Sequence, residues 1–250
     1  MKNKVLIVAV LLVLNLYVSA QAIGPLGPPK AELKQAQFQI AAEYSSSRFD
    51  VKTKYTKAVE TTCRLKSSKL LVKPSYGVTD NFDIYALIGL DDNKAMNMKF
   101  GSDVVYGFGA DYTLFQDDAL SFGAVFETQW SKVSASGTMD FTELTDWDYF
   151  DEDYRAELNY NEIMIAAGPT WEITDGLSFY GGPFFYTLNG DIDVDFEFWD
   201  ESESFNLEER SSFGAYLGTQ WDFHSDVSWY GEVSFISDGW IFGTGFSWKL

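Results

Sequence analysis

The feature that most constrains this chain is a repeated alternation, two residues in period, of apolar side chains with glycine, polar or charged ones. Between Val104 and Leu114, every second residue is aliphatic, aromatic or alanine, and the residues between are mostly glycine, aspartate and threonine. Side chains on a β-strand point to opposite faces with this period, whereas a helix places apolar residues three or four apart. The pattern recurs from residue 36 to residue 250 and predicts an all-β protein.

Four short turn sequences separate the alternating segments: VTDN at 78–81, QDDA at 116–119, ITDG at 173–176 and FHSD at 223–226. Each has the position and composition of a hairpin turn. Longer polar connections cover about 91–102, 135–156 and 190–208. Short turns at one end and long loops at the other are typical of a closed antiparallel transmembrane β-barrel.

The pattern predicts about ten strands, an even number as bacterial barrels of this kind have, and eight or twelve are compatible with it. Residues 49–56 alternate in the opposite phase to the first strand, so they are either its bulged continuation or a separate strand. Around Gly181 and Gly182 both faces are aromatic, and a bulge there would switch the phase.

A soluble β-sandwich or lipocalin-like barrel is the alternative fold. It would pack the aromatic face inward and cover its outside with glycines and carboxylates, which make a poor strand surface. Six tryptophans instead lie near strand ends, as aromatic girdles at two membrane interfaces do: Trp130, Trp171, Trp221, Trp229, Trp240 and Trp248. The opposite phase predicts these lumen-facing residues: Asp83, Tyr85, Asp111, Glu127, Gln129, Glu162, Glu172, Tyr216, Asp222, Tyr230 and Glu232.

Residues 1–22 have the parts of a secretory signal peptide: two lysines, an apolar run from Val5 to Val18, and small residues around Ala20 and Ala22. The apolar run is shorter than the roughly 18 residues of a spanning helix, so cleavage after Ala20 or Ala22 is favoured over an uncleaved anchor. The Gly/Pro-rich residues 23–35 are interpreted as a flexible lead-in, and residues 36–250 as the barrel.

The final strand alternates aromatic with small residues up to Leu250, and residues 76–89 form the hairpin sequence YGVTDNFDIYALIG. In these features, residues 36–250 resemble the small OmpA-like and opacity-type outer-membrane barrels of Gram-negative bacteria. The resemblance implies a place in the cell outer membrane, contact with its lipid and lipopolysaccharide, and recognition of the C-terminal strand by the barrel-assembly machinery. It also places the short turns and the lead-in on the periplasmic side. It implies no particular activity.

Few residues offer catalytic or metal chemistry. His224 is the only histidine and lies in a predicted periplasmic turn, whereas barrel hydrolases use histidine near the outer rim. Cys63, the only cysteine, falls in the predicted first outer connection. We therefore expect no enzyme, no cofactor and no histidine- or cysteine-based metal site. The formal net charge of −19 makes nucleic acid an unexpected partner.

Carboxylates concentrate in the loops at 140–157 and 191–209. Within the second, one face of an extended strand would carry the weak metal-site candidates Asp191, Asp193, Asp195 and Glu197. Alternate strand residues stand about 7 Å apart, too far for two of them to hold one calcium ion, so a solvated loop tip is favoured.

Basic residues concentrate near the first strand. Eight of them form one stretch that we expect in the first outer loop and its flanks: Arg48, Lys52, Lys54, Lys57, Arg64, Lys66, Lys69 and Lys73. These residues could pair with the acidic loops, meet lipopolysaccharide phosphates, or remain solvated.

A barrel of this size is expected to be filled by side chains, because open aqueous channels need sixteen or more strands. The sequence therefore predicts a non-enzymatic surface barrel with a structural or interaction role carried by acidic, aromatic loops. Two alternatives stay open: a narrow cation-preferring channel, and a barrel enzyme without a histidine-based site.

Overall fold

The computed structural model describes residues 24–56, 59–95, 98–99, 103–140, 151–196, 201–208, 212–236 and 239–250. They form twelve strands: β1 (Phe38–Thr56), β2 (Val59–Thr79), β3 (Phe82–Ala95), β4 (Met98–Lys99), β5 (Asp103–Gln116), β6 (Leu120–Asp140), β7 (Asp151–Thr174), β8 (Leu177–Phe196), β9 (Glu201–Glu208), β10 (Ser212–His224), β11 (Val227–Ile236) and β12 (Gly239–Lys249). Within these ranges no helix is long and apolar enough to cross a membrane. The predicted leader, residues 1–22, lies outside them.

Ten of these strands close an antiparallel barrel. Each pairs with the next along the chain, β8 pairs directly with β10, and β12 returns to β1. The two short strands lie off the ring, β4 against the end of β3 and β9 against the end of β8. The predicted fold class and the strand count of about ten are confirmed.

All four predicted hairpin turns are present, between β2 and β3, β5 and β6, β7 and β8, and β10 and β11. In the third, Gly176 has a φ of 88°, a left-handed conformation that suits glycine. The chain closes at the same end, where the Leu250 amide donates to the Phe38 carbonyl at 2.8 Å. We call this the turn end and the opposite one the loop end.

The structure settles the two places where the strand pattern of the sequence is ambiguous, residues 49–56 and Gly181–Gly182. β1 pairs with β2 from Phe38 opposite Tyr76 to Thr56 opposite Val59, with one register shift between Lys54 and Thr56, so residues 49–56 belong to the first strand. The apolar phase changes near Phe49, which is also where the pairing with β12 ends. No bulge occurs at Gly181 and Gly182, since β8 keeps one register with β10 from Leu177 to Tyr186.

Strand length varies around the barrel, and two groups of long strands, β1–β2 and β6–β8, are separated by the shorter β3 and β5. β11 and β12 have 10 and 11 residues, about what a membrane-spanning strand needs. β1, β2, β6, β7 and β8 have 19 to 24 residues and therefore continue beyond the loop end. Much of the predicted loop at 135–156 is this paired extension, with residues 141–150 outside the described part. Cys63 likewise lies in β2, opposite Val51, and not in a connection.

The wall is apolar outside and polar inside. Outward side chains such as Phe213, which is 75% exposed, lie on the surface, whereas the inward Lys69 side chain is fully buried. The buried core of this protein is therefore the barrel lumen.

Candidate functional site

The lumen holds most of the residues that the sequence assigns to it. Buried inside lie Asp83, Tyr85, Glu127, Gln129, Glu162, Tyr216, Tyr230 and Glu232, and Asp111 is half-buried. The other two, Glu172 and Asp222, are exposed near the turn end. They follow the inward phase, but they lie beyond the enclosed part of the lumen.

Near the loop end, one lysine organises the lumen. The Lys69 Nζ lies 2.7 Å from Glu162 Oε2 and donates to Gln129 Oε1 at 3.0 Å, and Tyr186 donates to the other Glu162 oxygen at 2.7 Å. We call Lys69, Gln129, Glu162 and Tyr186 the Lys69 cluster. Lys69 and Glu162 side chains are both fully buried, so each charge depends on the other for compensation.

A second set of contacts continues toward the turn end. Gln129 Nε2 donates to Glu127 Oε1 at 2.7 Å, and the Tyr85 hydroxyl donates to Glu127 Oε2 at 3.0 Å. The Lys73 Nζ lies 3.8 Å from the centre of the Tyr85 ring and 3.8 Å from Glu43 Oε1. These contacts connect β1, β2, β3 and β6 across the lumen.

Inward tyrosines recur as donors to inward carboxylates. Besides Tyr85 and Tyr186, Tyr230 donates to Glu43 and Tyr160 donates to Asp91. Glycines on neighbouring strands make the room for such rings, because a Cβ on Gly109 would lie 2.3 Å from the Tyr85 ring. A Cβ on Gly245 would likewise lie 2.5 Å from the Tyr230 ring. This explains the glycine-rich inward phase of the sequence.

Residues 24–35 run inside the barrel on the turn-end side, and we call them the N-terminal plug. Glu232 accepts hydrogen bonds from the Leu26 and Gly27 amides at 3.3 and 3.1 Å. Asp83 accepts from the Glu32 and Leu33 amides at 2.7 and 3.1 Å. Leu26 and Leu33 are 1% and 3% exposed.

Three further side chains hold the plug at the turn end, one of them Glu172, whose Oε1 accepts from the Lys30 Nζ at 3.3 Å. Thr113 Oγ1 accepts from the Ala31 amide and Asp80 Oδ1 from the Gln35 amide, both at 2.9 Å. Small wall residues leave space for the chain, because a Cβ on Gly243 would lie 2.5 Å from Pro25.

The plug differs from the flexible lead-in that the sequence suggests for residues 23–35. Its Gly/Pro-rich composition provides no core of its own, but inward carboxylates of the wall accept its backbone amides. The signal that points to it in the sequence is the excess of inward acidic residues over inward basic ones.

The basic stretch is divided between two environments, which corrects its assignment as one outer loop. Lys69 and Lys73 lie in the lumen, as their position in the inward phase of β2 indicates. Arg48, Lys52, Lys54, Arg64 and Lys66 lie on the paired part of β1 and β2 near or beyond the end of β12, and Lys57 is outside the described residues.

The lumen residues missing from the sequence-based set include Glu43, Asp91, Tyr160 and Tyr186. Each has the inward parity of its strand, which is the signal that could have found it. Asp91 falls in the segment read as a loop, yet it lies inside, accepting from Ser67 Oγ at 2.9 Å and Tyr160 at 3.1 Å.

The six tryptophans of the predicted girdles lie on the outer surface near the two ends of the wall. Trp171, Trp221 and Trp248 near the turn end and Trp240 near the loop end are exposed. Trp130 and Trp229 are half-buried. Trp130 stacks on Tyr106 with ring centres 6.0 Å apart, and Trp229 donates to Thr244 at 2.8 Å.

The weak metal candidates are spread along the extension of β8. Asp193 is exposed, Asp191 and Asp195 pair in register with Asn159 and Arg155, and Glu197 lies outside the described residues. In the part of the chain that the structure describes, no group of three or more His, Cys, Asp or Glu is placed to hold a metal ion.

His224 lies at the turn end, with its side chain 73% exposed. Its Nδ1 is 3.1 Å from Ser225 Oγ and 3.8 Å from Asp226 Oδ2. A catalytic triad needs the serine on one ring nitrogen and the carboxylate on the other, whereas here both approach the same nitrogen. The arrangement is that of a polar turn.

The architecture is similar to that of solved membrane barrels. The outer membrane protease OmpT from Escherichia coli matches with a TM-score of 0.51 and 7% identity, over 93% of this chain and 100% of that one. The translocator domain of the autotransporter NalP from Neisseria meningitidis matches at 0.49 and 13%, over 88% and 90%. The COG4313 outer membrane channel from Pseudomonas putida F1 matches at 0.46 and 9%, over 92% and 100%.

No protein-family model and no curated protein matches the sequence. At these identities the structural likeness concerns the fold, which is that of an outer-membrane β-barrel.

Proposed function

We propose that this chain, an outer-membrane β-barrel by its fold, is an exported and plugged barrel that acts through its outer hairpins without conducting solutes or catalysing a reaction. The observation that carries the proposal is the filling of the lumen at successive levels. The N-terminal plug lies on the turn-end side, and the Lys69 cluster lies nearer the loop end. A lumen filled in this way offers little path for a solute.

Export with removal of the leader fits the position of the plug. Gly24 is buried inside the lumen, beside Leu71 and Glu43. An uncleaved leader would have to continue from this enclosed point. Removal after Ala20 or Ala22 leaves only one to three residues before Gly24.

The long hairpins supply the surface that remains for interaction. The upper β1–β2 hairpin carries the basic residues Arg48, Lys52, Lys54, Arg64 and Lys66, whereas β9 carries the acidic sequence ESESFNLE. Cα atoms of β9 and β1 come within 8 Å of each other. Their opposite charge favours pairing between the two, and the basic hairpin is also suited to lipopolysaccharide phosphates.

Single-channel recording in planar bilayers tests the proposal. We expect the mature barrel to give no steady current, because the plug and the Lys69 cluster close successive levels. A variant lacking residues 23–33 serves as the comparison, since it removes most of the plug and keeps the wall. A steady open current through the complete chain would contradict the proposal.

A narrow cation channel is the second candidate, and the charge of the lumen favours it. Among the described residues, six buried carboxylates, Glu43, Asp83, Asp91, Glu127, Glu162 and Glu232, face two buried lysines. Such a lumen would attract cations if it opened. Potassium-over-chloride selectivity in the variant without residues 23–33 would show that the wall alone supports this role.

A further inference from the structure

Glu43 presents an unused acceptor in the middle of the lumen. Its side chain is 1% exposed on β1, and its Oε1 accepts from Tyr230 and lies 3.8 Å from the Lys73 Nζ. Within the described part of the chain its Oε2 has no hydrogen-bond partner. A buried carboxylate oxygen left without a donor is costly, so this atom marks a place for a cation or an N–H group.

The start of the plug lies against this atom. A Cβ placed on Gly24 would be 3.4 Å from Glu43 Oε2 and 2.9 Å from Leu71 Cδ1. The residue before Gly24 is covalently bonded to it, so its backbone nitrogen is one residue along the chain from this contact with Glu43. Cleavage after Ala22 would convert that nitrogen, in Ile23, into a free α-ammonium group.

The lumen also has more buried acid than nearby cations can balance. Lys69 is bound to Glu162 at 2.7 Å, which leaves Lys73 as the buried lysine closest to Glu43. Lys73 lies beneath the Tyr85 ring and 3.8 Å from Glu43, so its contact is too long for a strong hydrogen bond. An additional positive charge at this level would compensate Glu43 directly.

We propose that Glu43 forms an internal site for a primary ammonium group, and that this site takes the α-ammonium of Ile23 once the leader is cleaved after Ala22. The inference rests on the exported, cleaved and plugged barrel proposed above. Export processing would then complete the lumen, because it creates the donor that the Glu43 carboxylate lacks.

The test measures amine reactivity in the folded mature protein in lipid vesicles. Mass spectrometry first identifies the N-terminal residue, and reductive dimethylation then compares the α-amine with the exposed Lys34 of the same plug. An accessible α-amine reacts faster than lysine at neutral pH because its pKa is lower. We expect the Ile23 amine to react at least tenfold more slowly than Lys34 when folded, and faster than Lys34 in denaturant.

Two variants assign the protection to Glu43. Glu43→Gln should raise the reactivity of the Ile23 amine at least fivefold, whereas the same substitution at Glu157, which contacts Lys132 and Asn159 and not the plug, should leave it unchanged. Should Glu43→Gln fail to fold, a glycine inserted before Ile23 moves the amine by one residue and leaves the wall intact. That insertion should also raise the reactivity of the α-amine.

A mature chain that begins at any residue other than Ile23 overturns the proposal, as does an Ile23 amine that reacts as fast as Lys34 in the folded barrel. Protection that survives both Glu43→Gln and the glycine insertion also overturns it. These outcomes are independent of conductance. If the α-amine is reactive but the barrel conducts no current, the site at Glu43 is refuted and the plugged barrel is not. If the α-amine is protected but the barrel gives a steady current, the plugged barrel is refuted instead.

Discussion

The two faces of the barrel wall follow opposite rules of burial. On the outer face, Phe108 and Phe246 are 52% and 47% exposed to the surroundings, where lipid replaces water. On the inner face, Lys69, Gln129 and Glu162 are fully buried. The outer face needs only apolar character, whereas each inner charge needs a specific partner. Substitutions should therefore fail for different reasons on the two faces.

The largest loss of stability is expected on the inner face from Lys69→Met, because it leaves Glu162 as an unpaired buried charge. Loss of one partner of a buried pair costs about 3–5 kcal/mol. Urea unfolding in lipid vesicles measures the change. The exposed Lys132→Met serves as the control.

Adding Glu162→Gln to Lys69→Met removes the stranded charge, so the double variant should regain part of the lost stability. If the free energy of unfolding of Lys69→Met is within about 1 kcal/mol of that of the parent chain, water compensates the Glu162 charge and a buried charge does not need its specific partner.

The next effect is expected on the outer face from Phe108→Arg. Arginine facing lipid near the bilayer centre costs about 2–4 kcal/mol, and Phe108→Leu should cost much less because it stays apolar. Folding yield into vesicles and urea unfolding report both variants. Equal behaviour of arginine and leucine would mean that Phe108 does not face lipid.

The inner and outer faces can also be compared with the same substitution, tyrosine to phenylalanine, on each. Tyr85→Phe removes the hydroxyl that donates to Glu127 at 3.0 Å, and hydrogen bonds to charged groups contribute about 1.5–3 kcal/mol. Tyr106→Phe on the outer face, where the ring is 57% exposed, should change stability little. Urea unfolding of the pair measures the difference, and equal losses would contradict the assignment of the two tyrosines.

The smallest effect is expected outside the membrane, where Lys132 of β6 pairs with Glu157 of β7. Hydrogen bonds from Lys132 and Asn159 lower the pKa of Glu157. A lowered pKa adds stability above the unfolded value of about 4.3, and this stability is lost as the pH falls below it. Both side chains are largely exposed, so Glu157→Gln should cost at most about 1 kcal/mol at pH 7.

The difference between Glu157→Gln and the parent chain should shrink as the pH falls through the lowered pKa of Glu157, because the carboxyl then becomes protonated. A difference that does not shrink with falling pH or in 1 M salt would show that the side chains contribute by packing rather than by charge.

The fold was predictable because each strand carries its two faces in its own sequence. The alternation around Phe108 and the four turns suffice for the ring of ten strands, and they also place residues such as Glu127 inside. The tall hairpins were underestimated, since beyond the lipid a strand such as residues 49–56 loses its outward apolar phase.

The partners inside the lumen were not predictable, because they depend on which strands face each other across the barrel. Lys69 on β2 meets Glu162 on β7, 93 residues away, and nothing local to either residue encodes that pair. The basic residues near Lys69 instead favoured an outer loop. For the same reason Gln129, an inward polar residue, is not a tolerant surface position, since it lies between Lys69 and Glu127.

The plug is synthesised before the strands of the barrel but reaches its final position after them. Leu26 and Glu232 are separated by 206 residues, so the segment made almost first binds a strand made almost last. Contacts of such sequence separation form late because the intervening chain must be ordered beforehand. Glu232 becomes an acceptor at its final position only when β11 has joined β12 and β12 has met β1. Insertion of the plug therefore indicates that the ring of strands has closed. A protease that cleaves within residues 24–35 would cut unfinished barrels and spare finished ones.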